Sequence, residues 1–204
     1  MNQIVLATRN RDKIGELLWL LKDLNIDFIT LDKFPSIKEV DEDQESLEGN
    51  AFKKAREVSR LTELPALADD SGLEVHYLNG EPGVFSSRYA GPNATYADNR
   101  KKLLERMRGV PARRRGARFR CVLALVVPGF LEKTVEGMCL GSILELPRGE
   151  NGFGYDPIFL PSNHQISFAE MEPALKNRIS HRAKAAMLMR EFIASLPEAS
   201  FFQN

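Results

Sequence analysis

The chain has 204 residues, of which 43% are hydrophobic and 27% charged. A chain of this size can bury a core without disulfide staples, and its composition excludes disordered, collagenous and low-complexity classes. Its 28 basic and 28 acidic side chains cancel, which removes support for bulk electrostatic binding to nucleic acid or to an anionic membrane.

Ile4-Val5-Leu6-Ala7 is a short apolar run rich in strand formers and reads as a buried, parallel strand. Thr8-Arg9-Asn10 follows, and then a helical face of Ile14, Leu17, Leu18, Leu21 and Leu24 with Asn10 as its N-cap. Asp27–Leu31 reads as a second strand. After the acidic stretch Glu39–Glu45, a helix is expected over Ala51–Leu61, its start marked by Asn50 and its face by Ala51, Phe52, Ala55 and Val58. Pro65–Ala68 is strand-like and ends in Asp69-Asp70-Ser71-Gly72, after which Leu73–Val75 continues in extended fashion. Asn79–Gly91 reads as loop, Thr95–Met107 as a polar helix, and Phe119–Val127 as the strongest strand, with Thr134–Ile143 as its partner. Gly149–Gly154 is a glycine-rich loop leading to the strand-like Pro157–Leu160. The last helix starts near Ser180 and buries Ala185, Leu188, Met189, Phe192 and Leu196. Alternating helices and strands followed by strand-rich sequence predict a mixed α/β sheet in one domain over 1–204.

Cys121 and Cys139 sit in apolar runs far from His76, His164 and His181. They read as buried small hydrophobes in a reducing compartment, not as a zinc cluster. The first ten residues lack a signal-peptide pattern, and the longest apolar run, Cys121–Pro128, is too short for a membrane helix. A cytoplasmic protein is expected.

Several segments could carry chemistry. Thr8, Asn10 and Lys13 lie between a strand and a helix N-terminus, a place that attracts phosphate, although they equally suit a capped helix with a solvated lysine. Asp69 and Asp70 at the end of a buried strand are costly unless paired or metal-bound; such a carboxylate can hold Mg²⁺ or deprotonate water. The acids around Glu42 read as a solvated loop or as a source of a second metal carboxylate. Glycines on both sides of Phe153 allow a sharp path that presents an aromatic ring for stacking on a base, or else a tight turn with a core aromatic. Ser180-His181-Arg182 opens the last helix. Arg113–Arg120 invites an RNA reading but fits better as a charged flank protecting a buried strand from aggregation.

The order and spacing of these segments resemble the inosine triphosphate pyrophosphatase family, the non-canonical purine NTP pyrophosphatases. Thr8-Arg9-Asn10-Arg11-Asp12-Lys13 is similar to the family's opening Ser/Thr-x-Asn-x-x-Lys motif, and Asp69–Leu73 to its central acidic motif. Pro82–Tyr89, Phe153–Pro157 and Ser180–Arg182 are similar to the motifs that follow. The resemblance implies an elongated α/β fold, a mixed sheet flanked by helices with two lobes around a central active-site cleft, and a homodimer. It implies Mg²⁺-dependent hydrolysis of ITP, dITP and XTP to the monophosphate and pyrophosphate, with no nucleic-acid or membrane partner.

By the same resemblance, Asp70 is the proton acceptor and a Mg²⁺ ligand. Lys13 is catalytic and, with Thr8, Arg9, Asn10, Arg11 and Asp12, holds substrate. Ser71 contacts substrate, and Phe153, Gly154, Tyr155, Asp156, Lys176, His181 and Arg182 form the nucleoside pocket. Glu42 is the second metal carboxylate, with Asp41 and Asp43 as alternatives, because Asp43-Gln44-Glu45 stands where the family carries a Gly-Thr-Phe-like stretch. Gly49-Asn50-Ala51 likewise replaces the family's Glu-Asn-Ala.

Overall fold

The structure, a computed structural model, describes residues 3–196. Its strands are β1 (Gln3–Leu6), β2 (Asp27–Thr30), β3 (Ala66–Val75), β4 (Gly116–Val127), β5 (Leu131–Ile143) and β6 (Phe159–Pro161). They form one mixed sheet in the order β2-β1-β3-β4-β5-β6. β1 pairs parallel with both β2 and β3, as its apolar run predicts, and β6 pairs antiparallel with β5. The helices are α1 (Arg11–Leu21), α2 (Leu47–Thr62), α3 (Tyr96–Arg106), α4 (Pro173–Ile179) and α5 (His181–Ser195). The α/β class and the mixed, helix-flanked sheet are as expected from the sequence.

The chain folds as two compact units. The first is built from the chain up to Asp70, Cys121–Gly137 and the chain from Arg182; the second from Ser71–Arg120 and Met138–His181. In the first, Ile4, Leu6, Leu17 and Leu21 pack with Leu67, Leu123, Leu125 and Met189. In the second, Leu73, Leu103, Met107, Phe119, Phe159 and Phe168 form a separate core. Each unit thus has its own source of hydrophobic stabilisation.

Several local features differ from the sequence-based expectation. The strand-like run before Asp69 and the extended Leu73–Val75 are both as expected, but they form one unbroken strand, β3, so the two acids lie mid-strand and not at a strand end. Buried cations offset their cost, as described below, and the backbone has no need to break. α2 begins earlier than expected, at Leu47, and its cap is Ser46, whose hydroxyl accepts from the Gly49 amide at 3.0 Å. Asn50 is instead buried inside the helix, where its Oδ1 accepts from the Gln44 amide at 3.0 Å. On α5 the buried stripe is Ala185, Ala186, Met189 and Ile193, whereas Leu188 is 40% exposed and Phe192 and Leu196 are only half-buried. Finally, the segment expected as loop after Asn79 contains a 3-10 helix over Gly83–Arg88, and α4 precedes α5 as a separate short helix.

The arginine-rich segment also resolves into specific jobs. Arg115 is buried and donates to the carbonyls of Met107 (2.8 Å), Ile143 (2.6 Å) and Leu144 (2.8 Å). Arg118 and Arg120 lie on β4 and both pair with Glu74, at 2.6 and 2.7 Å. Three of these guanidiniums therefore serve backbone carbonyls and one shared carboxylate.

Candidate active site

The chain leaves β1 and turns into α1 through Thr8-Arg9-Asn10. The Thr8 hydroxyl accepts from the Asn10 amide at 3.2 Å, and Asn10 Oδ1 accepts from the amides of Asp12 (3.0 Å) and Lys13 (3.1 Å). Asn10 is thus the cap expected from the sequence, and its side chain already takes two first-turn amides. Arg9 points elsewhere, donating to the Ile37 carbonyl at 2.7 Å. Arg11 and Asp12 are exposed. Lys13 turns inward from the first turn of α1, with Nζ 2.7 Å from Asp69 Oδ1 and 3.4 Å from the Asp69 carbonyl.

The mid-strand acids of β3 organise what surrounds them. Asp69 is fully buried and also receives Arg182, whose Nε lies 2.7 Å from Oδ2. Cys121 Sγ donates to the same oxygen at 3.2 Å, so this cysteine does more than fill space. Arg182 in turn pairs with Glu16. Burial alone would raise the Asp69 carboxyl, but Arg182 and Lys13 outweigh it and hold the group well below the usual carboxylate range.

Asp70 faces a different cation. Lys54 Nζ lies 2.7 Å from Asp70 Oδ1, 2.8 Å from Glu42 Oε1 and 2.8 Å from the Asp69 carbonyl. Burial pushes the Asp70 carboxyl up to about 6, with Glu42 adding to the push and Lys54 and Lys13 opposing it. For Glu42, burial is outweighed by Lys54, and its carboxyl falls to about 2. The two acids therefore separate into one that ionises readily and one that is poised near neutrality. Asp43 pairs with Lys53 at the surface (2.8 Å), and Asp41 is exposed, so Glu42 is the acid of its stretch that reaches this cluster. Asn50 accounts for that placement by tethering the Gln44 amide.

Across this unit, Lys13, Lys54 and Arg182 stand against Glu16, Glu42, Asp69 and Asp70, so the ionised cluster carries surplus negative charge. Among the described residues no group of three or more His, Cys, Asp or Glu side chains is arranged to hold a metal ion unaided. Two carboxylates sharing one ammonium still fit Mg²⁺, which characteristically takes one or two carboxylates and completes its shell with water and phosphate oxygens.

In the second unit, Gly152 and Gly154 adopt positive φ (72° and 60°) on either side of Phe153. Asp156 Oδ2 accepts from the Phe153 amide at 2.9 Å and pairs with Lys176 Nζ at 2.6 Å. Lys176, carried by α4, lies 4.8 Å from the centroid of the half-buried Phe153 ring. Tyr155 is buried and donates to the Ser86 carbonyl at 2.9 Å; burial pushes its hydroxyl upward. His181 is buried and stacked on Phe119, with ring centroids 4.6 Å apart and planes within 10°. Ser71 follows Asp70 on β3 and is half-buried.

The Ham1 family profile matches residues 4–192. The chain belongs to the Ham1 family. It is 45% identical to a curated dITP/XTP pyrophosphatase of Geobacter sulfurreducens, over 95% of this chain and 97% of that protein. Among solved structures, a HAM1 protein from Coxiella burnetii is 44% identical with a TM-score of 0.87, covering 96% of this chain and 100% of that one. The Staphylococcus aureus Ham1 protein is 35% identical with a TM-score of 0.84, covering 94% and 98%.

In this Ham1 chain the cluster includes two residues that no sequence motif marks, Lys54 and Glu16, and it gives Cys121, expected only as a buried small hydrophobe, a hydrogen bond to Asp69. Lys54 did leave a signal. It stands on the Ala51, Ala55 and Val58 face of α2, and a lysine within an apolar stripe calls for a buried partner. Glu16 left none, because its partner Arg182 lies far along the chain.

Proposed function

We propose that this chain hydrolyses non-canonical purine nucleoside triphosphates (ITP, dITP and XTP) to the monophosphate and pyrophosphate, removing deaminated purines from the nucleotide pool. The observation that carries this reading is Asp70. It is a mid-strand carboxylate poised near neutrality beside Lys54 and Glu42, within a cluster that includes Lys13. The names of the relatives support the same reaction.

In this reading Asp70 positions water and accepts its proton as oxygen attacks the α-phosphorus in line. The bond from that phosphorus to the bridging oxygen breaks, and pyrophosphate leaves. A base is most effective when its pKa lies near the operating pH, which suits the raised Asp70 carboxyl. Lys13, with Thr8, Arg9, Asn10, Arg11 and Asp12 on the same turn, attends the phosphates; of these, Lys13 is the cation that turns inward. Asp70 and Glu42 would hold Mg²⁺, which when bound supplies charge neutralisation and polarisation of phosphate oxygens.

Ser71, Phe153, Gly154, Tyr155, Asp156, Lys176, His181 and Arg182 are assigned to the nucleoside. Phe153, fixed by Asp156 through its amide, offers an aromatic surface to a purine. Hypoxanthine and xanthine carry a 6-oxo acceptor where adenine has an amino donor. Donors near His181 and Arg182 would pair with that oxygen and be left unpaired by adenine, at about 1–3 kcal/mol each.

The reading includes one functional domain over 1–204, a homodimer and a cytoplasmic location. Cys121 and Cys139 are buried and not joined in a disulfide, which suits a reducing compartment, and among the described residues no helix is long and apolar enough to cross a membrane.

The deciding assay is pyrophosphate release from ITP, with GTP and ATP as controls, with and without Mg²⁺, for wild type and Asp70→Asn. Mg²⁺-dependent turnover of ITP that collapses in the variant is the expected result. Binding without release from any triphosphate would overturn the reading, and equal turnover of ATP would overturn the base-selection argument.

A further inference from the structure

The first acid of β3 has a different position from the second. Asp69 is completely buried. Its two carboxylate oxygens are both occupied by cations from separate stretches of chain. Oδ1 takes Lys13 from the first turn of α1 at 2.7 Å, and Oδ2 takes Arg182 from the first turn of α5 at 2.7 Å. Cys121 of β4 adds a third donor to Oδ2 at 3.2 Å. α1, α5 and β4 are thereby referenced to one rigid carboxylate in the middle of β3.

We propose that Asp69 is a positioning residue for the pyrophosphatase reaction: its buried carboxylate holds the Lys13 ammonium and the Arg182 guanidinium in working geometry while Asp70, next along the strand, does the chemistry. This rests on the reading given above.

The physical argument is one of freedom and reach. A lysine on the exposed first turn of a helix samples many rotamers, and fixing it costs side-chain entropy. A lysine already held against a buried, fixed carboxylate meets the phosphate with that ordering done in advance, which is where rate advantages from orientation arise. Alternation along β3 explains why adjacent acids have distinct partners, since successive side chains of a strand point to opposite faces. Asp69 meets Lys13 and Arg182, and Asp70 meets Lys54.

The test is a double-mutant cycle between Asp69→Asn and Lys13→Gln, read as kcat and KM for pyrophosphate release from ITP at saturating Mg²⁺. Asp69→Asn is expected to lower kcat by about tenfold or more, and Asp69→Glu to recover part of that loss. Lys13→Gln is expected to cost at least about fivefold less in the Asp69→Asn background than in wild type, because residues acting as one unit are not additive. A residue that merely supports the fold would lower Tm but leave the two effects independent. Equal cost of Lys13→Gln in both backgrounds would overturn the proposal.

If Asp69→Asn alone does not fold, the cycle is run in Asp69→Asn with Arg182→Gln, where both halves of the buried pair are neutral. The same criterion then applies. Wild-type protein that releases no pyrophosphate would overturn the pyrophosphatase reading itself, and the positioning role with it. An active wild type with an additive cycle overturns the positioning role alone.

Discussion

Lys54 joins Glu42 and Asp70, its Nζ lying 2.8 Å from one carboxylate and 2.7 Å from the other, with its side chain only 9% exposed. Burial alone would lower the lysine, but Asp70 and Glu42 outweigh it and keep it charged. Lys54→Met removes that charge and leaves two acids facing each other inside the protein. Breaking a buried pair in this way costs about 3–5 kcal/mol. ITP hydrolysis is expected to fall by about 100-fold or more, the scale of a misplaced general base. Urea unfolding and steady-state kinetics check the two effects; a variant as stable and active as wild type would show that the pair is dispensable.

The pH dependence of stability follows from the same acids. The Asp70 carboxyl lies at about 6 in the folded protein against an ordinary 3.8, so the native state binds this proton more tightly than the unfolded chain. Stability from this group therefore falls as pH rises from about 4 to about 6, by on the order of 3 kcal/mol. Glu42 has the opposite sign: at about 2 it contributes stability above its ordinary value, lost as pH falls toward 2. Asp70→Asn is accordingly expected to raise Tm near pH 7.5 and to raise it only about a third as much near pH 4.5. Mg²⁺ favours the ionised acid, so it is expected to raise wild-type Tm near pH 7.5 far more than near pH 4.5, and to do little in Asp70→Asn. Equal Mg²⁺ shifts at both pH values would remove Asp70 from the metal site.

How far the sequence could be read depended on how local each determinant was. The Asn10 cap was legible because its partners, the amides of Asp12 and Lys13, are two and three residues away. β1 was legible because a parallel strand buried on both faces is apolar throughout. Asn50 misled because the same side chain that caps helices also tethers loops, and here it holds the Gln44 amide. The distinct roles of Asp69 and Asp70 were hidden because their partners Lys13, Arg182 and Lys54 come from three different helices. α4, which carries Lys176, is hard to read from sequence because seven residues opening on Pro173 show little periodicity.

Gly152 couples backbone conformation to the Lys176–Asp156–Phe153 arrangement. Its φ is 72°, and a Cβ there would lie 2.2 Å from Asp156 Oδ2. Gly152→Ala therefore strains the backbone by about 1–2 kcal/mol and also displaces the carboxylate from Lys176 and from the Phe153 amide. KM for ITP is expected to rise by about tenfold with kcat little changed, the mark of lost ground-state binding. Gly129→Ala is the control: φ is 66°, but nothing lies within 4 Å of the added Cβ. It is expected to lose stability without any change in KM. The same KM shift in both variants would trace the effect to strain in general and not to Asp156.

Arg115 separates a structural arginine from a nucleic-acid reading of its basic neighbourhood. Only 4% exposed, it donates to the carbonyls of Met107, Ile143 and Leu144. These carbonyls lie at the end of α3, where Met107 also accepts from the Val110 amide at 3.2 Å, and at the end of β5. Burial lowers the guanidinium from its ordinary value but leaves it charged, as suits hydrogen bonds to neutral carbonyls. Arg115→Met keeps the apolar stem but removes a buried donor from all three carbonyls, so it is expected to destabilise the protein by about 3 kcal/mol. Turnover of ITP per folded molecule should stay within about twofold of wild type, because none of the three acceptor residues belongs to the proposed site. Fluorescence anisotropy with a labelled single-stranded RNA should show no binding by either protein at physiological salt, since opposite charges cancel over the chain and Arg118 and Arg120 are engaged by Glu74. Salt-sensitive RNA binding that disappears in Arg115→Met without loss of stability would reverse the assignment.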